Sequence, residues 1–161
     1  MVKEGLHFRD ANREDLPSLI AMLADDDLGT TREDDPRNIG HYYYDAFDCI
    51  ETDPNNELVV AEAEDEVVGM LQLTFIPYLT YRGSWRCLIE GVRVRASHRG
   101  RGIGRQMFEW AIEQGRTRNC RLVQLTSNKQ RQDAIRFYES LGFVPSHEGF
   151  KLDLSDPGRD D

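Results

Sequence analysis

Arg99-Gly100-Arg101-Gly102-Ile103-Gly104 sets three glycines within six residues. The stretch lies between a segment that reads as a strand, Cys87 to Val94, and one that reads as a helix, Gly102 to Arg118. Glycine lets a backbone turn tightly and lie close to a ligand. The helix behind it aims free N–H groups and the positive end of its dipole at the same point. That combination suits a pyrophosphate, and so a phosphate-bearing cofactor. Two phosphate-binding turns do not fit. A P-loop ends in Gly-Lys-Ser/Thr, whereas Gly104 is followed by Arg105-Gln106. A dinucleotide turn needs a third small residue where Met107 stands, and the run of strands upstream is wrong for a leading βαβ unit.

The elements that must position this turn follow from periodicity. Leu6 to Arg9 reads as a first strand. Asn12 caps a helix to about Leu23, with Leu16, Leu19, Ile20 and Leu23 on one face. Asp25 to Pro36 reads as a loop and Arg37 to Ile50 as a second helix. Glu57 to Ala63 and Glu66 to Phe75 form a hairpin about Glu64-Asp65. Tyr78 to Gly83 is a loop, and Trp85 to Val94 is the strand that leads into the glycine turn. Beyond the turn's helix come a strand, Arg121 to Thr126, and a helix, Asp133 to Leu141, closed by Gly142. Phe143-Val144 and Phe150-Lys151-Leu152 read as terminal strands, and 156–161 as a frayed polar tail. The order β-α-α-β-β-β-α-β-α-β predicts an α/β protein built on a mixed sheet, in one domain over 1–161.

Composition narrows the partners. With 39% hydrophobic and 30% charged residues the chain reads as soluble and globular, without a membrane span or a signal peptide. A cytoplasmic location is the default expectation. A net charge of −9 argues against nucleic acid as a partner. Yet Arg93, Arg95, Arg99, Arg101 and Arg105 crowd about the turn, as a local anionic ligand requires. Cys49, Cys87 and Cys120 are too scattered for a disulfide framework or a zinc site, and no metal is expected.

Val92 to Gly104 resembles motif A of the GCN5-related N-acetyltransferases, the GNAT family, whose pattern Gln/Arg-x-x-Gly-x-Gly/Ala is met by Arg99, Gly102 and Gly104. Asn128, Ala134, Phe137-Tyr138 and Leu141-Gly142-Phe143 resemble the family's motif B. The likeness spans about Leu6 to Leu154, with Ala96 standing where the family often has proline. It implies a GNAT-type, mostly antiparallel sheet flanked by helices, and an acyltransferase with acetyl-CoA as donor.

The resemblance also implies roles. Backbone N–H groups from Gly100 through Ile103 to Arg105 hold the pyrophosphate, with the Arg99 and Arg105 side chains beside them, and Arg101 lies in the same turn. The edge Val92-Arg93-Val94 pairs with the pantetheine arm, Asn128 touches that arm, and the Val92 N–H polarises the acetyl carbonyl. Glu90 is the candidate base for an ammonium that must lose a proton, and Tyr138 the candidate acid for the leaving thiolate. Tyr78, Tyr81 and Arg82 are acceptor-pocket candidates. The acceptor is a primary amine, read as a small molecule. Thr126 to His147 is locally similar to aminoalkylphosphonate acetyltransferases, which favours an amine with an anionic group for Arg82 or Arg131. Asp45 and Asp48 favour a cationic amine instead. A protein or peptide acetyltransferase and a non-catalytic acetyl-CoA sensor are the alternatives. Homodimers are common in the family, and the sequence leaves the oligomeric state open.

Overall fold

The structure, a computed structural model, describes residues 5–26 and 29–155. The chain divides into two compact units, Met1–Leu125 and Thr126–Asp161. The first holds a five-stranded sheet in the order β1 (His7–Asp10), β2 (Asn56–Ala63), β3 (Glu66–Pro77), β4 (Trp85–Val94) and β5 (Leu122–Gln124). All neighbours are antiparallel except β4 and β5, which run parallel. The mixed, mostly antiparallel sheet expected from the sequence is therefore the one found. The β2–β3 hairpin turns on Glu64 and Asp65, at φ 50° and 63°, a pair of left-handed residues whose twist matches that of the strands.

One face of the sheet carries α1 (Leu16–Ala24) and α2 (His41–Thr52). Leu16, Leu19 and Met22 of α1 and Phe47 of α2 pack with Val60 and Met70 from the strands. The chain enters α1 through a 3-10 turn, Arg13–Asp15, closed by a capping box. Asn12 Oδ1 accepts from the Asp15 N–H at 3.2 Å, and Asp15 Oδ2 accepts from the Asn12 N–H at 2.7 Å. A cap of this kind is worth about 1 kcal/mol. Arg9 of β1 braces it, donating to Asp15 at 2.7 Å and to Glu62 at 2.7 Å. Burial works against the ionised Asp15, but the bonds from Arg9 and the Asn12 amide outweigh it and hold its pKa below 3.8. This layer departs from expectation at its loop and its second helix. Gly29–Arg32 makes a helical turn inside the stretch read as a loop, and α2 starts at His41 rather than Arg37 because Gly40 is extended (φ −68°, ψ 157°).

The opposite face carries α3 (Ile103–Thr117). Its close approach requires small residues. A Cβ on Gly69 of β3 would lie 2.7 Å from Met107 Sδ and 3.2 Å from the Arg93 carbonyl oxygen, and one on Gly115 would lie 3.0 Å from Val123 Cγ2. Phe8 of β1 stacks on Trp110 with centroids 4.7 Å apart. Cys87 is buried in this layer, and burial pushes its thiol up to about 12. Among the described residues no helix is long and apolar enough to cross a membrane.

In the second unit, α4 (Gln132–Ser140) ends at Leu141, and Gly142 follows at φ 95°, the left-handed stop expected there. The terminal strands do not form. No strand occupies 143–155, and Phe150 and Leu152 are 94% and 84% exposed. Their alternation is genuine, but a strand exists only through hydrogen bonds to a neighbour, and none pairs with this segment among the described residues. The expected tail at 156–161 lies outside the described residues.

Candidate functional site

Within the first unit, β4 and the amino end of α3 form the feature most suited to hold a ligand. Arg86, Cys87 and Leu88 pair with β5, and past Leu88 no strand lies on that side of β4 among the described residues. On its other side the register runs Gln72↔Glu90 and then Met70↔Arg93, so two steps along β3 oppose three along β4. The extra residue is a β-bulge with Gly91 at φ 62°.

The bulge changes which face each later side chain takes. Upstream, Cys87 faces α3, since a Cβ on Gly115 would lie 3.4 Å from Cys87 Cβ. Strict alternation would then send Arg93 toward α3 and Val94 away from it. Instead Val94 faces α3, its Cγ2 lying 3.9 Å from where a Gly104 Cβ would stand. Arg93 and Arg95 take the other face, meeting Asp26 at 3.5 Å and Glu66 at 3.6 Å. Glu90, just before the bulge, is exposed on that same face. The backbone follows suit. The Arg95 N–H donates to the Val68 carbonyl at 2.8 Å. Alternation therefore turns the Val94 and Val92 amides to the open edge.

After β4 a 3-10 turn, Ala96–His98, leads into the glycines. Gly100 and Gly102 stand at φ 77° and 78°, where side-chain-bearing residues are strained. A Cβ on either would meet nothing within 4 Å, so the space over the turn is open. Gly102 is the N-cap of α3 and has no side chain with which to cap it. The Ile103 and Gly104 amides come before any intrahelical acceptor, the next bond being Gln106 N–H to the Gly102 carbonyl at 3.2 Å. An uncapped helix end with its dipole facing open space suits an anion, and the residues present fit a diphosphate.

The arginines about this turn are more committed than their crowding suggested. Arg99 donates to the Val94 carbonyl at 3.2 Å and to Asp25 at 3.2 Å. Arg93 bonds the Val92 carbonyl at 2.9 Å besides meeting Asp26. Asp25 and Asp26, at the end of α1, thus hold side chains that the sequence assigned to the ligand. Arg101 and Arg105 are exposed.

Tyr78, Tyr81 and Arg82 are not brought to the glycine turn. They lie at the other end of β4, whose ten residues separate the two ends by roughly 30 Å. Thr80–Gly83 is a left-handed turn, with Tyr81 at φ 51°, ψ 42° and Arg82 at φ 60°, ψ 42°. Such geometry costs roughly 1–2 kcal/mol per side-chain-bearing residue. The Arg86 guanidinium carbon stands 3.8 Å from the Tyr78 ring centroid, and that of Arg121 stands 4.8 Å from Tyr81.

Asn128 and Tyr138 belong to the second unit. Asn128 Oδ1 accepts the Gln130 N–H at 2.9 Å, a local turn bond. Tyr138 is half-buried, edge-on to Phe143 with centroids 6.2 Å apart. Among the described residues no group of three or more His, Cys, Asp or Glu is placed to hold a metal. Sequence reasoning missed Gly91, Asp25 and Asp26. For Gly91 a signal was present, since a glycine inside an apolar strand often marks a bulge.

The chain matches the model of the Acetyltransferase (GNAT) family over residues 20–143. It is 34% identical over 108 residues to the aminoalkylphosphonate N-acetyltransferase of Salmonella typhimurium, covering 67% of this chain and 70% of that one. It is also 34% identical over 88 residues to the glucosamine 6-phosphate N-acetyltransferase of Trypanosoma brucei brucei, covering 55% and 58%. A crystal structure described as a transcriptional regulator from Bacillus halodurans superposes with a TM-score of 0.89 at 53% identity, covering 93% of this chain and 100% of that one. With a family model that matches most of its length and a relative 34% identical over 108 residues, the chain belongs to the Acetyltransferase (GNAT) family and is an acyltransferase.

Proposed function

We propose that this protein moves the acetyl group of acetyl-CoA to the primary amine of a small molecule that also carries a phosphonate or phosphate. One observation carries the reading: the uncapped amino end of α3, behind Gly100 and Gly102, opens beside the edge of β4 that past Leu88 has no strand partner among the described residues. Acetyl-CoA, when bound, supplies an activated acyl thioester. The Gly100 to Arg105 amides would hold its diphosphate, with Arg101 and Arg105 adding charge. Val92, Arg93 and Val94 offer the pantetheine arm a strand edge, and Asn128 an amide group. The Val92 N–H, turned to the open edge, is the fixed dipole for the carbonyl oxygen. Glu90 takes a proton from the incoming ammonium, directly or through a water, and Tyr138 holds at its hydroxyl the proton destined for the departing sulfur.

The acceptor class rests on the relatives' names, aminoalkylphosphonate and glucosamine 6-phosphate, both of which denote an amine bearing a phosphorus oxyanion. Arg131, at the start of α4, is the exposed cation offered for that group. The test is thiol release from acetyl-CoA with 2-aminoethylphosphonate, glucosamine 6-phosphate, spermidine and a lysine-containing peptide. The highest kcat/KM should fall to one of the first two. A preference for spermidine or the peptide would overturn the acceptor class, and acetyl-CoA binding without turnover on any amine would overturn the catalytic reading.

A further inference from the structure

The chain has 29 acidic residues, yet none falls between Glu66 and Glu90 and none between Glu113 and Asp133. The fold brings these two tracts together at the start of β4. The Arg121 N–H donates to the Trp85 carbonyl at 2.9 Å, and Arg86 stands in register with Leu122. The resulting surface differs from that about the glycine turn, where Arg93, Arg95 and Arg99 each have a carboxylate partner. Arg82, Arg86 and Arg121 have no carboxylate partner among the described residues. Arg86 donates to Gln124 Oε1 at 3.3 Å, and its buried Nε has no partner among those residues. Its guanidinium lies over Tyr78, and that of Arg121 over Tyr81. Beside these cations the surface is apolar, with Leu79 96%, Tyr81 58% and Trp85 37% exposed. The left-handed turn holds Tyr81 and Arg82 in a conformation that side-chain-bearing residues rarely adopt. Strain of this kind is a reason to look for a function.

We infer that this end of the sheet is a docking surface for an acidic peptide segment of another protein. A guanidinium stacked on a ring keeps its N–H edge for a carboxylate, and Arg pairs with carboxylates in a two-pronged fit. Trp, Tyr and Arg are the residues that dominate protein interfaces energetically. Unpaired cations on a molecule of net charge −9 call for an anionic partner. Nucleic acid fits less well, because bases stack on bare aromatic faces, and the Tyr78 and Tyr81 rings already carry guanidinium groups. A two-fold contact with a second copy would set these arginines against themselves. The surface stands at the opposite end of β4 from the glycine turn, so docking here leaves the acetyl-CoA cradle clear.

The experiment uses the full chain and fluorescence anisotropy with a fluorescein-labelled (Glu-Glu-Leu)4 peptide, a (Lys-Lys-Leu)4 peptide and a dT12 oligonucleotide. The acidic peptide should bind, more weakly by at least about tenfold in 300 mM than in 50 mM NaCl. Arg121→Glu should weaken it by at least about tenfold, with thermal unfolding and acetyl-CoA affinity unchanged. Arg121→Lys, which keeps the charge but not the fork, should fall between the two. The proposal is overturned if the acidic peptide does not bind, if Arg121→Glu binds it equally well, or if dT12 binds more tightly. It is also overturned if Arg121→Glu abolishes a concentration-dependent dimer, which would assign the surface to a second copy.

Discussion

Gly102 offers a way to separate what the turn does for the fold from what it does for the ligand. Its backbone is left-handed (φ 78°, ψ 9°), and a Cβ added there meets nothing within 4 Å. Alanine should therefore cost only the conformational penalty, about 1–2 kcal/mol, with no packing clash added. Asparagine tolerates the left-handed region, so Gly102→Asn should cost less than about 1 kcal/mol. It nevertheless places an amide side chain in the open space over the α3 amides. If a diphosphate sits there, losing one charge-assisted hydrogen bond costs about 1.5–3 kcal/mol, or about 10- to 150-fold in Kd. The asparagine variant should thus fold well and bind acetyl-CoA poorly. Gly104→Ala is the control. A Cβ there lies 3.9 Å from Val94 Cγ2, an ordinary contact, and alanine in a helix gains about 0.5–1 kcal/mol over glycine. Its affinity should stay within about twofold of wild type, a change of about 0.4 kcal/mol. Urea unfolding gives the stabilities and titration calorimetry the affinities. A well-folded Gly102→Asn protein with wild-type affinity would show that the cofactor's phosphates lie elsewhere.

Tyr138→Phe should lower kcat by about 10²-fold or more while acetyl-CoA affinity holds; unchanged turnover would remove Tyr138 from the acid role. Glu90→Gln should lower kcat/KM by about 10²-fold while acetyl-CoA affinity holds, and unchanged turnover would leave proton removal to solvent. Asp15→Asn should destabilise the protein by about 1 kcal/mol through its cap, as read from urea curves. Because the folded pKa of Asp15 lies below 3.8, its contribution is present above that pH and is lost as pH falls through the lowered value. The gap between wild type and variant should therefore be steady from about pH 7 to 5 and close below about pH 4; a gap widening on acidification would contradict the assignment.

What was legible in the sequence was local. Asn12 ahead of an apolar helical face, and glycines at the head of an amphipathic helix, declare themselves because cap and turn are settled within a few residues. Long-range pairing was not legible. Asp25 lies 74 residues before Arg99, and nothing in either tract names the other. Gly91 was present in the strand pattern, but alternation read through it as though β4 were regular, so the change of faces at Arg93 and Val94 went unseen. Phe150 and Leu152 show the converse: alternation promised a strand, and pairing did not supply one. Tyr81 and Arg82 read as an ordinary loop, because side-chain-bearing residues give no sign of a left-handed backbone.

The kink at Gly91 also limits how this protein can change. Removing Gly91 alone would set two steps of β4 against two of β3 and leave Arg93, Val94 and Arg95 on their present faces, whereas removing another residue between Cys87 and Glu90 with the bulge kept would drive the cationic chains of Arg93 and Arg95 beneath Met107. Elsewhere in the strand, loss or gain of an odd number inverts every later side chain unless a bulge absorbs it. The codon for Gly91 is thus the one that β4 can lose singly without turning its arginines inward.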